Sequence, residues 1–410
     1  MKKVVIGAMA VLALTACSNE EVIQTNEQNQ EITFTAVTDK ATSRAADGYC
    51  NQHKPGTINV WAKVGNKNYF ANESYTESSG SYKIDGGVTR YWPESSSVDF
   101  FSAVNHSSIT WDATSTTPAI MKDFTVAKTV SAQKDFIYAV ATNVAKPSGG
   151  AAANLNFRHG LSQIVFKAQN KNKNIYVEIE GVSVCEAKNK GTFTFPTEST
   201  TENIKDTDHQ NPFDPTIPAT AKWGEWNLTG STFDDYIVTF DPVGLNANQA
   251  ESQSLTYANP AAQEWNSNTM YLMPQKFTST DLWDPKAAAY VKPGVTDGKA
   301  YFLVKAKIWN IATPNSGDAI LGGCNKTDDI VLWGTGGAKD IAIPIPTDTE
   351  WLQGKKYIYT FIFTKTGEGG YDPTTDEPTY VFTPITLSVT VDDFAEEKNT
   401  DVDMKKPTIP

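Results

Sequence analysis

A chain of 410 residues is long enough for two or three domains with sizeable cores. Its composition is β-like, with 11% aromatic residues, 27 Gly and 21 Pro beside many Thr, Val and Tyr. A formal net charge of −12 argues against nucleic acid or an anionic membrane face as partner and suits a soluble extracellular protein.

The chain opens with two processing signals in series. Lys2 and Lys3 form a short basic region, and Val4 to Ala16 is apolar but too short to span a bilayer as a mature helix. Leu14-Thr15-Ala16-Cys17 matches the bacterial lipobox, in which small residues before a cysteine let a signal peptidase cut just ahead of the thiol. Residues 1–16 therefore read as a lipoprotein signal peptide. Acyl chains on Cys17 would anchor by burying methylenes at roughly 0.8 kcal/mol each. Ser18 to Gln30 is polar and acidic, a tether behind the lipid. Glu31 to Thr38 alternates apolar and polar residues like a half-buried strand, with Ile32, Phe34 and Ala36 on one face. The second signal is Thr42-Ser43-Arg44-Ala45-Ala46, a lone basic residue in the polar, accessible setting that proteases nick. A cut between Arg44 and Ala45 removes the anchor and the strand together. Residues 17–44 thus read as a tether and propeptide carrying a removable strand.

After Ala46 one short strand follows another. Thr57 to Val64 alternates, while Val98 to Val104 and Asp135 to Val140 are evenly apolar, as strands close to a core are. Turn chemistry separates them at Ser78-Ser79-Gly80, Asp85-Gly86-Gly87 and Trp92-Pro93-Glu94. Pro147-Ser148-Gly149-Gly150, running into Ala151-Ala152-Ala153, is the expected boundary between a domain of residues 45–150 and one of residues 151–410. In the latter, Leu155 to Ala168 and Ile175 to Val184 read as strands, and Thr197 to Ala221 as an exposed loop. Strands follow at Tyr236 to Phe240, Thr269 to Met273, Lys299 to Trp309, Lys356 to Thr364 and Pro384 to Val391. No segment holds a helical apolar period over three turns. The expected class is all-β, in two β-sandwich domains.

Little in the chain points to chemistry. With Cys17 assigned, Cys50, Cys185 and Cys324 are too widely spaced for a disulfide framework or a metal site, so free thiols are expected, with one disulfide among them left open. His53, His106, His159 and His209 form no ligand motif, and a structural role is expected for His159. Gly334-Thr335-Gly336-Gly337 lacks the Lys-Ser/Thr of a phosphate loop and reads as a turn. Asp206-Thr207-Asp208 and Asp372 to Glu377 lack the ligand spacing of a Ca²⁺ loop and read as solvated. Asp392 and Asp393 point to opposite faces of a strand. No catalytic residue, metal ligand or cofactor is assigned.

Several short motifs resemble, in their order, the fimbrillin family of bacteroidete surface lipoproteins and pilus subunits. They are the lipobox with its acidic sequel, Ile32-Thr33-Phe34-Thr35 leading to Ser43-Arg44-Ala45, and Tyr91-Trp92-Pro93 before Val98-Asp99-Phe100-Phe101. Further on come Asp135-Phe136-Ile137-Tyr138-Ala139, Leu155-Asn156-Phe157-Arg158-His159-Gly160-Leu161-Ser162, Trp351 to Tyr359, and Val389 to Phe394. The resemblance implies two transthyretin-like β-sandwiches in tandem, export as an outer-membrane lipoprotein, trimming after Arg44 by a maturation protease, and assembly through a donor strand. Its implied partners are other fimbrial subunits and a host or bacterial surface receptor, with the membrane touched only through the precursor's lipid.

The residues agree with that logic. Losing the strand of Ile32, Phe34 and Ala36 exposes backbone edges that template another chain. An incoming strand gains affinity from main-chain bonds and specificity from alternate side chains. Ile385, Leu387, Val389 and Val391 alternate with polar residues and form the candidate donor; head-to-tail repetition of such a contact gives a filament. The tail Ala395 to Pro410 is polar, with two prolines, and is a poor donor, which counts against a polymerising stalk and toward a tip or accessory subunit. Stalk or tip ranks above a basal anchor because Arg44 sits where the cleavage site of the resembled family sits. A retained lipid would instead make it a basal anchor. The rival reading is a glycan-binding surface lipoprotein, resting on Trp223, Trp226, Trp265, Trp283, Trp309 and Trp333 as exposed stacking faces, whereas the favoured reading has these rings cap the sandwich cores. A monomeric adhesive lipoprotein is a third class.

Overall fold

The computed structural model describes residues 30–38, 54–111, 119–200, 223–246, 251–255, 269–283, 299–311, 329–364 and 385–393. Cys17, Arg44, Ala45, Cys50, Cys324, Trp265, His53, His209, both acidic clusters and the tail after Phe394 lie outside them. The class is all-β, as the alternation predicts: the described residues hold strands and two short 3₁₀ turns but no α-helix.

Nine strands precede Gly160. They are β1 (Phe34–Thr38), β2 (Thr57–Val64), β3 (Lys67–Ser78), β4 (Ser81–Ile84), β5 (Val98–Val104), β6 (Ile109–Thr110), β7 (Ile120–Thr125), β8 (Ile137–Val144) and β9 (Ala153–His159). Seven of them form a closed barrel in the order β1-β4-β3-β2-β5-β8-β9. Closure depends on β1, which pairs antiparallel with β4 at Phe34↔Tyr82 and parallel with β9 from Phe34↔Ala153 to Thr38↔Phe157. The Pro147–Ala153 stretch, expected as a domain boundary, is the turn between β8 and β9, both of them barrel strands. Ala153, Leu155 and Phe157 are wanted inside the barrel, where they are buried beside Ile32, Phe34 and Ala36. The chain leaves the barrel at Gly160 instead. A Cβ there would stand 2.3 Å from the Phe136 ring, so only glycine lets the backbone pass.

The strands after Gly160 are β10 (Ser162–Asn170), β11 (Ile175–Lys188), β12 (Lys190–Thr194), β13 (Glu225–Asn227), β14 (Phe233–Leu245), β15 (Gln253–Ser254) and β16 (Met270–Leu272). They continue with β17 (Gln275–Lys276), β18 (Tyr301–Asn310), β19 (Ile330–Trp333), β20 (Lys339–Pro344), β21 (Glu350–Trp351), β22 (Lys355–Phe363) and β23 (Ile385–Asp393). One sheet runs β15-β10-β22-β23 with β16 also on β10; another runs β14-β11-β18-β19 with β20 also on β18. A short pair joins β17 to β21. A smaller sheet, β13-β12-β7-β6, takes two strands from either side of Gly160. Its Met121, Phe124, Phe193 and Trp226 share one apolar core with Trp61, Phe101 and Tyr138 of the barrel strands and with the sheets beyond. Among the described residues one core therefore fills the barrel, a larger one runs from the barrel's outer wall into the sheets that follow Gly160, and a small cluster gathers Cys185, Trp283, Tyr301 and Ala342.

Candidate functional site

The place where the sequence predicts a removable strand is the seam of the barrel. Alternation puts every second side chain of this stretch on one face, and the barrel makes that face the inside. Ile32, Phe34 and Ala36 are at most 1% exposed. The Phe34 ring meets Tyr75 at 4.9 Å and Phe100 at 5.0 Å, both edge to face. Burying an aromatic and a branched aliphatic side chain this fully is worth about 1.5–3 kcal/mol each. Burial also pushes the Tyr75 phenol above its ordinary range, because the charged form cannot be solvated there. Its hydroxyl has no hydrogen-bond partner among the described residues.

Backbone bonds hold the strand at its start. Ile32 N–H donates to Arg90 O at 2.8 Å, Trp92 N–H donates to Gln30 O at 3.0 Å, and Ala153 N–H donates to Thr33 O at 2.9 Å. The Thr35 hydroxyl reaches Asn154 Oδ1 on the outer face. Arg90 itself is fastened from the side. Its Nε donates to Glu73 Oε1 at 2.9 Å and its guanidinium stands 5.7 Å over the Phe70 ring. The hydrogen bond to Glu73 raises the Arg90 pKa further.

The other rim of this slot is β9, and it is weakly attached on its far side. It pairs directly with β8 only at Ile137↔His159 and Tyr138↔Arg158. Beyond that point the two strands are bridged by Thr200, with Ser199 bonded to Thr142 of β8 beside it, from a stretch the sequence assigns to an exposed loop. Thr200 is 2% exposed. That correction has a simple reason: its hydroxyl and backbone replace missing ladder bonds between strands, a role no polarity pattern signals.

At the C-terminal end, β23 pairs with β22 in nine positions from Ile385↔Phe363 to Asp393↔Lys355, and no described strand lies on its other side. Ile385 and Val389 are buried while Leu387 is half-buried. The candidate donor is thus an edge strand of its own sheet.

The remaining candidates are structural. His159 Nδ1 lies 2.7 Å from Asp135 Oδ2, both buried, where the chain passes from the barrel to the rest. Gly334–Gly337 is a turn closed by Gly337 N–H donating to Gly334 O. Cys185 is a buried free thiol, and burial raises its pKa well above the ordinary value. The tryptophans sit as the core-capping reading expects, and the rival reading of exposed faces fails: Trp226, Trp283, Trp309 and Trp333 are at most 8% exposed. Their neighbouring Gly, Asn and Asp look loop-like, but the rings fill core edges; Trp226 Nε1, for example, donates to Gly160 O at 2.6 Å. Trp223 is half-buried with the Arg158 guanidinium 4.4 Å over its face. No described tryptophan of the set offers an open stacking face. Among the described residues no group of three or more His, Cys, Asp or Glu could hold a metal.

The model of the fimbrillin-like family matches residues 22–379. Among solved structures, a fimbrial protein from Bacteroides vulgatus is similar, with 12% identity over 89% of this chain and 100% of its own, at a TM-score of 0.48. The tip fimbrial protein Mfa3 from Porphyromonas gingivalis, with a C-terminal truncation, shows 11% identity over 88% of this chain and 99% of its own, at a TM-score of 0.33. No curated protein matches the chain.

Proposed function

This chain belongs to the fimbrillin-like family, a structural and not an enzymatic one, and from that premise we propose that it is a stalk or tip subunit assembled by strand exchange at the β1 slot. Export as a lipoprotein through Cys17 comes first. A surface protease then cuts between Arg44 and Ala45, and β1 leaves with the anchor. The observation that carries this reading is that the strand ahead of Arg44 is the one that closes the barrel. Its departure opens the backbone edges of β4 and β9 and vacates the sites of Ile32, Phe34 and Ala36.

A second copy of the chain, or another subunit, then fills the slot. Ile385-Thr386-Leu387-Ser388-Val389 repeats the pattern of Ile32-Thr33-Phe34-Thr35-Ala36. Aligned in that register, Leu387 takes the Phe34 site between Tyr75 and Phe100. Pro384 then stands at Glu31, where the bridge to Tyr91 uses the N–H groups of Ile32 and Trp92 and none from residue 31. As an edge strand, β23 has one described neighbour to leave. The filament lies at the cell surface, and a host or bacterial receptor engages it.

Intact mass and N-terminal sequence of the protein taken from cells test the reading. A chain beginning at Ala45 without lipid is expected. A chain still beginning at acylated Cys17 overturns it and leaves a basal anchor or a monomeric lipoprotein.

A further inference from the structure

We propose that Thr200, with Ser199 beside it, is a wedge that positions β9 as the rim of the slot, so that the edge stays in place when β1 is absent; this rests on the strand-exchange reading above. Extending the register of Ile137↔His159 and Tyr138↔Arg158 puts Val140 opposite Asn156. Instead of the direct bonds, Thr200 stands between them and bonds to both. Its N–H donates to Val140 O at 2.8 Å, and its Oγ1 accepts from Val140 N–H at 3.1 Å. The same hydroxyl reaches Asn156 O at 2.5 Å, while Asn156 Nδ2 donates to Thr200 O at 3.1 Å. Ser199 extends the wedge, its Oγ accepting from Thr142 N–H at 2.8 Å.

The consequence is asymmetric. With β1 present, β9 is paired along five residues on one side, and the wedge is one support among several. With β1 gone, β9 keeps two direct pairs at its C-terminal end and Thr200 at its middle. A strand arriving in parallel needs the backbone groups of residues 153–157 presented in line, because main-chain bonds supply most of its hold. The β8 side of the seam is also tied to the body of the protein. Further along the chain, Gly224 N–H donates to the Tyr138 hydroxyl at 2.9 Å, and Gln353 Nε2 donates to Gly224 O at 2.6 Å. Tyr138 of β8 is therefore braced through Gly224 from Gln353, beyond Gly160.

The test is hydrogen exchange of residues 153–157 in the full chain, intact and nicked after Arg44, for the native protein, Thr200→Val and Thr200→Ser. Removing one such hydroxyl predicts about tenfold faster exchange for Thr200→Val in the nicked chain, with the intact chain within about twofold of native. Thr200→Ser restores the native rate, and excess synthetic peptide of residues 30–38 suppresses the difference. Equal exchange of native and Thr200→Val in the nicked chain overturns the wedge, as does an equal acceleration in the intact chain, which marks an ordinary structural role. Uptake of the labelled peptide by the nicked native chain is read separately. If no peptide enters while Thr200→Val still loosens β9, the wedge stands and strand exchange falls.

Discussion

The stretch that leads into β1 and the start of β23 share one apolar and polar alternation, yet one closes a barrel and the other lies along a sheet edge. Around β1, Ile32, Phe34 and Ala36 are wholly enclosed and both backbone edges are engaged. Around β23, Ile385 and Val389 are buried but Leu387 is half-buried, and one edge has no described neighbour. Alternation specifies a face, and the surroundings decide how completely that face is covered. Under the proposed exchange the slot shaped for the first strand takes the second, which is held on one described side and so gives up fewer bonds on leaving.

The largest effect that can break this contrast comes from truncating the matched side chains. Phe34→Ala should lower unfolding free energy by about 3–5 kcal/mol, whereas Leu387→Ala, starting half-exposed, should cost about 1–2 kcal/mol; urea melts read both. Equal losses would mean that the two strands are equally enclosed. Next comes the crossing that separates their surroundings. Gly160→Ala drives a methyl into the buried Phe136 ring and should cost about 1–3 kcal/mol in the same melts.

Smaller effects sharpen the picture of the β1 end. Arg90→Ala removes a partly exposed pair with Glu73 and should cost about 1 kcal/mol or less. Its clearer mark is faster hydrogen exchange at Ile32, whose N–H donates to Arg90 O. Tyr75→Phe should change stability at pH 7 by less than about 1 kcal/mol, since the hydroxyl has no described partner. The sign of its pH effect follows from burial. A phenol held above its unfolded value favours the fold while protonated, and that stability is lost as pH rises past about 10. The variant should flatten this alkaline fall in a melt series, and an unchanged fall would place the sensitivity elsewhere.

Much of this was legible in the residues because alternation is local. Ile32, Phe34 and Ala36 were readable as one buried face, and the all-β class followed from repeated short strands. Closure was not readable, since the partners of β1 are set by contacts across the chain, such as Thr35 with Asn154. The turn at Pro147–Ala153 looked like a linker because a hairpin turn and a linker share Gly, Pro and Ser chemistry. Thr200 was hidden for a related reason. A polar residue that completes another strand's ladder looks, in one dimension, like any loop residue. The tryptophans admit two readings from sequence, exposed faces beside loop-like neighbours or core caps, and the buried rings are core caps as the favoured reading has them.

In the proposed assembly the slot left by β1 accepts the same kind of strand from another copy. The most direct measurement is the molar mass of the full chain in solution, before and after cleavage at Arg44, across a range of concentrations and with or without peptide of residues 30–38. Strand exchange predicts a monomer before cleavage, concentration-dependent multimers after it, and their suppression by the peptide. A cleaved chain that stays monomeric at every concentration, with β1 released and no peptide bound, would contradict it.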